Sequence, residues 1–384
     1  MGAETDIAVS DGVAQIALTA GPSARLTVAM LIAIGAALDQ LAQDDAVEII
    51  VLRGKSNVFP SGITVPRGGG DDRDNMLTDL CRRIENYPKP VIIVLTGAVV
   101  GAGVELALAA HYRLIHRLTR IGFPNARLGL VPSAGATQRL PRLIGAQAAL
   151  DLLIGGALMP VSAPRLAPLA DMLFDDAPDD ALNRFVTDLR STDARPRPTA
   201  DLRTGFADAS AYQAAINRMR TAIDASPEIA PRKILAAIEA AILLPIDAGL
   251  AFEAAAAEDC ADIEQSKALS HLFHAEQQVT AQIRRNDLPD ISAIGVLGGS
   301  AIASQIVLAA IEAGVAVHWF IKDPAQQRDA VVGSLRRRGV VVQLLARALQ
   351  LGVDVRGGDG GAHARVPAAL HVPEPHRVDV GSLG

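Results

Sequence analysis

One acidic residue, Glu105, interrupts an otherwise apolar run, VIIVLTGAVVGAGVELALAA, over residues 91–110. A carboxyl group in such a setting can transfer protons. The preceding Gly101-Ala102-Gly103 predicts a turn in which backbone approaches a ligand closely. A helix that begins there presents free N–H groups that bind anions and stabilise developing negative charge. The pattern predicts proton transfer beside an oxyanion; the alternative is a first-turn glutamate that only interacts with the helix dipole.

The elements that would position Glu105 follow from the same run. Residues 91–95 predict a β-branched strand buried on both faces, 97–103 a turn and 104–110 a short helix. A membrane span is the alternative, since the run has about the required length. Its glycines and the flanking Pro88 and Pro90 favour the soluble strand, turn and helix instead.

Composition limits the class of protein. The chain has 384 residues, of which 50% are hydrophobic, and this predicts a large core and two or three domains. A formal net charge of -6 and 3% aromatic residues argue against a nucleic-acid-binding surface. Two distant cysteines, Cys81 and Cys260, suit a reducing compartment, and the amino terminus lacks a signal-peptide pattern. We therefore expect a cytoplasmic protein without a membrane span.

The first half of the chain alternates strand and helix patterns. Residues 7–18 alternate on both sides of Asp11-Gly12, which predicts a hairpin. Apolar spacing then predicts helices over 26–42, 75–86 and 137–144, and strands over 47–52, 112–116 and 120–123. Strands that alternate with helices predict an α/β domain.

The second half changes character twice. Residues 176–198 are poor in apolar residues and predict a linker or surface excursion, whereas 211–283 are helical throughout. Residues 290–323 read as strand, glycine turn, helix and strand, the opening of a dinucleotide-binding fold. Beyond residue 336 the pattern decays, and we expect weak structure there.

Three motifs occur in one order: GKSNVFPSG at 54–62, GAVVGAGVELALAAHYRL at 97–114, and IGFPNARLGLVPSAGATQRLPRLIG at 121–145. Together they resemble the substrate loop and the two catalytic segments of the crotonase, or enoyl-CoA hydratase/isomerase, superfamily. The resemblance covers residues 7–175. It implies an α/β fold with a crotonase-like ββα spiral domain.

The rest of the chain is similar to the multifunctional fatty-acid oxidation proteins. In these, a helical connector joins the crotonase domain to a 3-hydroxyacyl-CoA dehydrogenase, here a partial Rossmann-type βαβ unit. The resemblance implies four segments: a crotonase-like acyl-CoA domain at 1–177, a connector at 178–289, a dinucleotide-binding-like unit at 290–335, and a weakly structured tail at 336–384. The dehydrogenase's catalytic residues would lie beyond residue 384, so we expect no dehydrogenase activity.

The resemblance also implies roles for individual residues. Backbone N–H groups of Ser61 and Ala102 would hold a thioester oxygen, and Glu105 would be the general acid/base in fatty-acid β-oxidation. Substrate-binding backbone is expected at Gly62, Gly101 and Gly103. The implied partner is an acyl-CoA thioester, together with a homo-oligomer or a thiolase-type protein.

Asn125 is the main departure from the family pattern. It stands where the family carries its second catalytic glutamate. An amide cannot exchange a proton near neutral pH, although it can orient a water. Hydration is therefore expected to be impaired, and the alternative is a catalytically degenerate acyl-CoA-binding or assembly protein.

The nucleotide fingerprint is eroded. Gly298 keeps the first glycine of the turn, but Ser300 and Ala303 replace the second and third. A serine at the second position crowds a pyrophosphate, although Asp323 stands about where an acidic ribose partner is expected. We expect no NAD binding and no cofactor other than the coenzyme A of the substrate.

Further polar residues have structural interpretations. His111 and His116 bracket a strand without a third ligand nearby, so no metal site is predicted. Arg139 and Arg142 have two interpretations, an ion pair or a CoA phosphate contact, of which the structural one is favoured.

Overall fold

A computed structural model gives the fold. It describes residues 5–19, 25–55, 58–62, 72–193, 195–285, 291–298, 300–313 and 315–320. The chain divides into two compact units, 1–285 and 286–384. The predicted boundaries at 177 and 289 stay predictions, and the predicted tail at 336–384 lies outside the described residues, as does Asp323.

The first unit begins with alternating strands and helices. The strands are β1 (Thr5–Ser10), β2 (Val13–Leu18), β3 (Ile49–Gly54), β4 (Val91–Leu95), β5 (Ala98–Val100), β6 (Tyr112–His116), β7 (Arg120–Gly122), β8 (Met159–Pro160) and β9 (Met172–Phe174). The helices are α1 (Val28–Ala42), α2 (Asp72–Glu85), α3 (Ala102–Ala109), α4 (Ala136–Leu153) and α5 (Pro178–Ser191). Two 3-10 helices, Pro124–Leu128 and Pro164–Leu169, lie among them. This confirms the predicted α/β class.

Strands β1 to β9 form two sheets. The larger has the order β1-β2-β3-β4-β6-β9, in which only the β1–β2 pair is antiparallel. The β1–β2 hairpin turns at Asp11 and Gly12, both with positive φ, as the Asp-Gly pair predicted. The smaller sheet has the order β5-β7-β8, with β5 and β7 parallel. Parallel neighbours bring the segments that follow them to the same edge.

The central run differs from its prediction in two places. The predicted turn over 97–103 contains strand β5, and helix α3 begins at Ala102, two residues earlier than expected. Glu105 still lies in the first turn of this helix. The predicted helix over 137–144 extends to Leu153, with a kink at Gly145, whose φ is 74°.

The expected linker at 176–198 is wrong over most of its length, because it contains α5. This helix covers the second face of the larger sheet, contacting Val51, Val94 and Leu114. Its buried side chains are Ala181, Leu182, Phe185, Val186 and Leu189. They recur at helical spacing inside a charged sequence, so average composition concealed an amphipathic pattern.

The predicted helical segment is confirmed by four helices: α6 (Ala209–Ile223), α7 (Ala230–Leu243), α8 (Ile246–Ala261) and α9 (Glu264–Arg285). Buried residues of α6, α7 and α8, among them Tyr212, Ile234 and Cys260, share one hydrophobic core with α1 to α4. All four helices fall within the first compact unit.

In the second unit, β10 (Ala293–Leu297), α10 (Ala301–Glu312) and β11 (Ala316–Phe320) form a βαβ arrangement. The two strands pair in parallel. Val296, Ala303 and Val307 form its small buried cluster. This confirms the predicted strand, helix and strand, while Gly299 of the predicted turn lies outside the described residues.

Across the described ranges, we find no helix that is both long enough and apolar enough to cross a membrane.

Candidate active site

Helix α3 places Glu105 in the interior. The side chain is 4% exposed, and every residue of the helix is buried. The turn into the helix depends on Gly101, whose φ of 51° favours glycine. The Gly101 carbonyl accepts the N–H groups of Val104 and Glu105 at 2.9 and 3.0 Å. The Glu105 Oε1 atom accepts the Ala134 N–H at 2.8 Å.

The loop before Gly62 packs directly on the start of α3. A Cβ atom added at Gly103 would lie 2.8 Å from the Pro60 carbonyl oxygen and 2.8 Å from the Ser61 Cβ. Such distances are below van der Waals contact, so only glycine allows this approach. The structure thus brings Ser61, itself 7% exposed, against the turn that leads to Glu105.

The two predicted oxyanion donors are the N–H groups of Ser61 and Ala102. These residues flank a short parallel β-bridge between Gly62 and Gly101. The Gly62 N–H donates to the Val100 carbonyl at 2.9 Å. The Ala102 N–H donates to the Gly62 carbonyl at 2.8 Å. The Gly62 carbonyl therefore already accepts the Ala102 N–H that was predicted to bind the thioester oxygen.

Asn125 follows β7, the strand that pairs with β5, and therefore lies at the same edge of the smaller sheet as the start of α3. Strands β5 and β7 pair at Val100 and Gly122, and the Gly101 N–H donates to the Gly122 carbonyl at 3.0 Å. The segment after β5 is helix α3, which contains Glu105. The segment after β7 is the 3-10 helix that contains Asn125. The Asn125 side chain is 8% exposed, and its Oδ1 atom has no hydrogen-bond partner among the described residues. A buried amide oxygen therefore occupies the position for which the resemblance implied a second carboxylate, and that equivalence stays a prediction.

A network of charged side chains holds the Ala134 peptide. The Arg139 guanidinium donates to the Ala134 carbonyl at 2.7 Å from Nη1 and to Glu85 Oε2 at 2.7 Å from Nη2. Arg139 and Glu85 are 1% and 4% exposed. Of the two interpretations of Arg139, the structure thus selects the ion pair. Arg142 donates to the Gln138 carbonyl at 2.6 Å and lies over the Phe206 ring.

Sequence reasoning missed Glu253, which α8 inserts beside this peptide. Both carboxylate oxygens of this fully buried side chain accept hydrogen bonds at the start of α4. A signal was present: Gly249, Glu253, Ala256 and Cys260 recur at helical spacing, so the glutamate interrupts a buried stripe. A carboxylate inside such a stripe predicts a buried partner.

The histidine pair does not form a metal centre. His111 is fully buried, its Nδ1 accepts the Val91 N–H at 2.9 Å, and its Nε2–H donates to the Glu85 carbonyl at 3.0 Å. Burial lowers the pKa of the His111 imidazole, so the neutral ring is favoured. His116 packs edge-on against Phe174. No group of three candidate metal ligands occurs within the described ranges.

The eroded nucleotide turn adopts a capped form. Gly298 has a φ of 111°, and a Cβ there would meet no atom within 4 Å. The Ser300 hydroxyl accepts the Ala303 N–H at 3.2 Å. This cap takes a helix N-terminal donor that a pyrophosphate would otherwise use. This contact disfavours a pyrophosphate at the helix start, and the expected absence of NAD binding stays a prediction.

Comparisons with known proteins show what the chain is similar to. Residues 8–163 match the family model described as enoyl-CoA hydratase/isomerase. The chain is 28% identical over 334 residues to the peroxisomal bifunctional enzyme of Cavia porcellus, covering 83% of this chain and 45% of that protein. It is 33% identical over 157 residues to the "Probable enoyl-CoA hydratase" of Bacillus subtilis (strain 168), covering 39% of this chain and 61% of that protein.

A solved structure gives the same fold. A carnitinyl-CoA dehydratase from Mycobacterium thermoresistibile superposes with a TM-score of 0.52 at 20% identity, covering 71% of this chain and 89% of the other. This confirms a crotonase-like α/β spiral. The chain spans about half the length of the bifunctional relatives it matches.

Proposed function

We propose that this chain, whose residues 8–163 belong to the enoyl-CoA hydratase/isomerase family, is an acyl-CoA hydratase or isomerase that uses Glu105 as its one proton-transferring side chain. The observation that carries the proposal is the burial of the Glu105 carboxyl beside a glycine turn, where the Ala134 N–H fixes one of its oxygens. A carboxyl group held in this way has one orientation toward a reacting carbon.

Hydration of a trans-2-enoyl thioester adds a water oxygen to C3 and a proton to C2. In the proposed reaction, the Glu105 carboxylate removes a proton from water as its oxygen attacks C3. The electron pair of the double bond moves to the thioester oxygen, forming an enolate. The enolate carbon C2 then takes the proton from Glu105, so one carboxyl performs both transfers and returns to its starting state.

The enolate oxygen requires donors, and we assign these to the backbone N–H groups of Ser61 and Ala102. One fixed donor typically lowers the barrier by about 3 kcal/mol. Since the Ala102 N–H donates to the Gly62 carbonyl, the thioester oxygen must replace that carbonyl. Gly62 has a φ of 130°, and a Cβ added there would meet the Arg25 Cγ at 3.9 Å, an ordinary contact, so the backbone is not tightly packed on that side.

Asn125 then has a limited role. Its amide can orient the attacking water through the buried Oδ1 atom, which lacks a partner among the described residues. It cannot exchange a proton near neutral pH. Isomerisation, which removes a proton at C2 and returns it at C4, needs one base and is less affected than hydration.

A second candidate function is acyl-CoA binding without turnover. Two observations favour it: Asn125 replaces a carboxylate, and an internal carbonyl occupies the Ala102 N–H. Both functions use the same thioester site, so turnover discriminates between them.

The names of the relatives suggest the metabolic setting. The Cavia porcellus relative is named a bifunctional enzyme, and the Bacillus subtilis relative is named a probable enoyl-CoA hydratase. On this basis we place the chain in fatty-acid β-oxidation, with acyl-CoA as its partner. The similar bifunctional enzymes are named peroxisomal, and the cytoplasmic location expected for this chain stays a prediction.

The test is the loss of enoyl-thioester absorbance with short and medium trans-2-enoyl-CoA, comparing the parent with Glu105→Gln and Asn125→Glu. We expect turnover in the parent and a loss of about 10²-fold or more in Glu105→Gln. Equal turnover in the two proteins would refute Glu105 as the acid/base. Turnover in Asn125→Glu alone would establish the parent as a binding protein with an intact oxyanion site.

A further inference from the structure

The fully buried Glu253 of α8 makes three hydrogen bonds to one short segment. Its Oε1 atom accepts the Gly135 N–H at 2.5 Å, and its Oε2 atom accepts the Thr137 N–H at 2.7 Å and the Thr137 hydroxyl at 2.5 Å. These donors lie at the start of α4, where Gly135 has no side chain to cap the helix. The carboxylate of α8 therefore caps α4 in place of a local side chain.

The capped segment is also the one that binds the acid/base. The Ala134 N–H donates to Glu105, and the next N–H, that of Gly135, donates to Glu253. Gly135 has a φ of 101°, which turns these two successive N–H groups toward different carboxylates. A shift of Gly135 must therefore move the Ala134 donor as well.

Burial makes the Glu253 contact sensitive to change. Burial raises the pKa of the Glu253 carboxyl, while hydrogen bonds from Thr137 and Gly135 and the charge of Arg139 lower it. Removing one partner of a buried hydrogen-bonded charge leaves the other groups unsatisfied. The contact thus ties the start of α4 tightly to α8.

We propose that Glu253 is a positioning residue for Glu105, acting through the Gly135 and Ala134 peptides. This inference rests on the proposed function of Glu105. Glu253 lies outside the matched residues 8–163, so in this chain a later helix completes the support of the acid/base. The segment that includes α8 would then contribute to catalysis without touching substrate.

The test uses the full-length chain with three substitutions. Glu253→Gln keeps the shape but removes the charge, and Thr137→Val removes one of the three donors as a milder change. Asp259→Asn is the matched control, since Asp259 lies on the same helix and pairs with Lys233 at 2.6 Å on the surface. A cooperative thermal unfolding transition is required of each variant, as the check that it folds.

The first readout is amide hydrogen exchange measured by NMR, which needs no turnover. We expect exchange of the Ala134, Gly135 and Thr137 amides to rise about tenfold in Glu253→Gln and less in Thr137→Val, with no change in Asp259→Asn. Faster exchange at Gly135 and Thr137 with an unchanged Ala134 would overturn the proposal, because Glu253 would then only cap the helix.

The second readout is steady-state hydration. We expect kcat of Glu253→Gln to fall about tenfold with KM within about twofold, as a displaced catalytic group predicts. Unchanged kcat in a folded Glu253→Gln variant would overturn the proposal. If the parent has no turnover, the proposed function fails, and the Ala134 amide alone decides whether Glu253 positions this peptide.

Discussion

Glu85 and Arg139 form a bidentate ion pair in the core, with Nε to Oε1 at 3.1 Å and Nη2 to Oε2 at 2.7 Å. The same guanidinium holds the Ala134 carbonyl, whose own N–H binds Glu105. Glu85 ends α2 and also accepts the Ala200 N–H at 3.0 Å. One buried pair thus connects α2, α4 and the peptide that binds Glu105, the proposed acid/base.

We predict that Glu85→Gln lowers the free energy of unfolding by about 3 kcal/mol or more, because it leaves the Arg139 charge buried without its partner. Asp175→Asn is the control, since Asp175 and Arg117 form an exposed pair at 2.9 Å and should lose about 1 kcal/mol or less. Urea denaturation of both variants measures the difference. Equal losses would show that burial of the Glu85 pair has no special weight.

We predict that Gly103→Ala both destabilises the protein and impairs acyl-CoA turnover. The new methyl group would meet Pro60 and Ser61 at 2.8 Å and push the loop at 58–62, the predicted substrate loop, away from α3. Overpacking of this kind costs about 1–3 kcal/mol. Gly35→Ala in α1 is the control, because its nearest neighbour is the flexible end of Arg83 at 3.1 Å. Urea denaturation and the enoyl-thioester assay measure both effects; a fully active, stable Gly103→Ala would contradict the close packing.

We predict that His111 makes stability depend on pH. Burial lowers its pKa in the folded protein, so below about pH 6.5 the unfolded chain binds a proton that the folded chain does not. The free energy of unfolding should therefore fall as the pH drops below this value, with a slope of at most about 1.4 kcal/mol per pH unit from this group.

Urea denaturation at pH values from about 5 to about 8, on either side of the histidine pKa of about 6.5, measures this slope. His111→Gln should reduce the slope, because it removes the buried imidazole whose pKa is lowered. An unaltered slope in His111→Gln would assign the acid sensitivity to other groups.

Local patterns in the sequence were sufficient for much of the fold. The Asp11-Gly12 turn, the strand at Val91–Leu95 and the βαβ unit beginning at Ala293 were predicted from turn chemistry and apolar spacing. Each depends on neighbours in the chain, so sequence contains the necessary information. The prediction of a linker in place of α5 failed because average composition gave more weight to the charged residues of this segment than to its apolar face.

For the candidate site, the sequence by itself determined the residue types and their order. It predicted Glu105 in the first turn of a helix after a glycine turn, and Asn125 in place of a second carboxylate. It could not determine which backbone groups would be near them.

Only the tertiary structure decided the contacts across long separations. Arg139 pairs with Glu85, the Ala102 N–H meets the Gly62 carbonyl, and Glu253 reaches Gly135 from α8. The physical reason is that a hydrogen bond depends on distance and direction, which the packing of the whole core sets. Local periodicity can show that a residue is buried, but packing alone selects its partner.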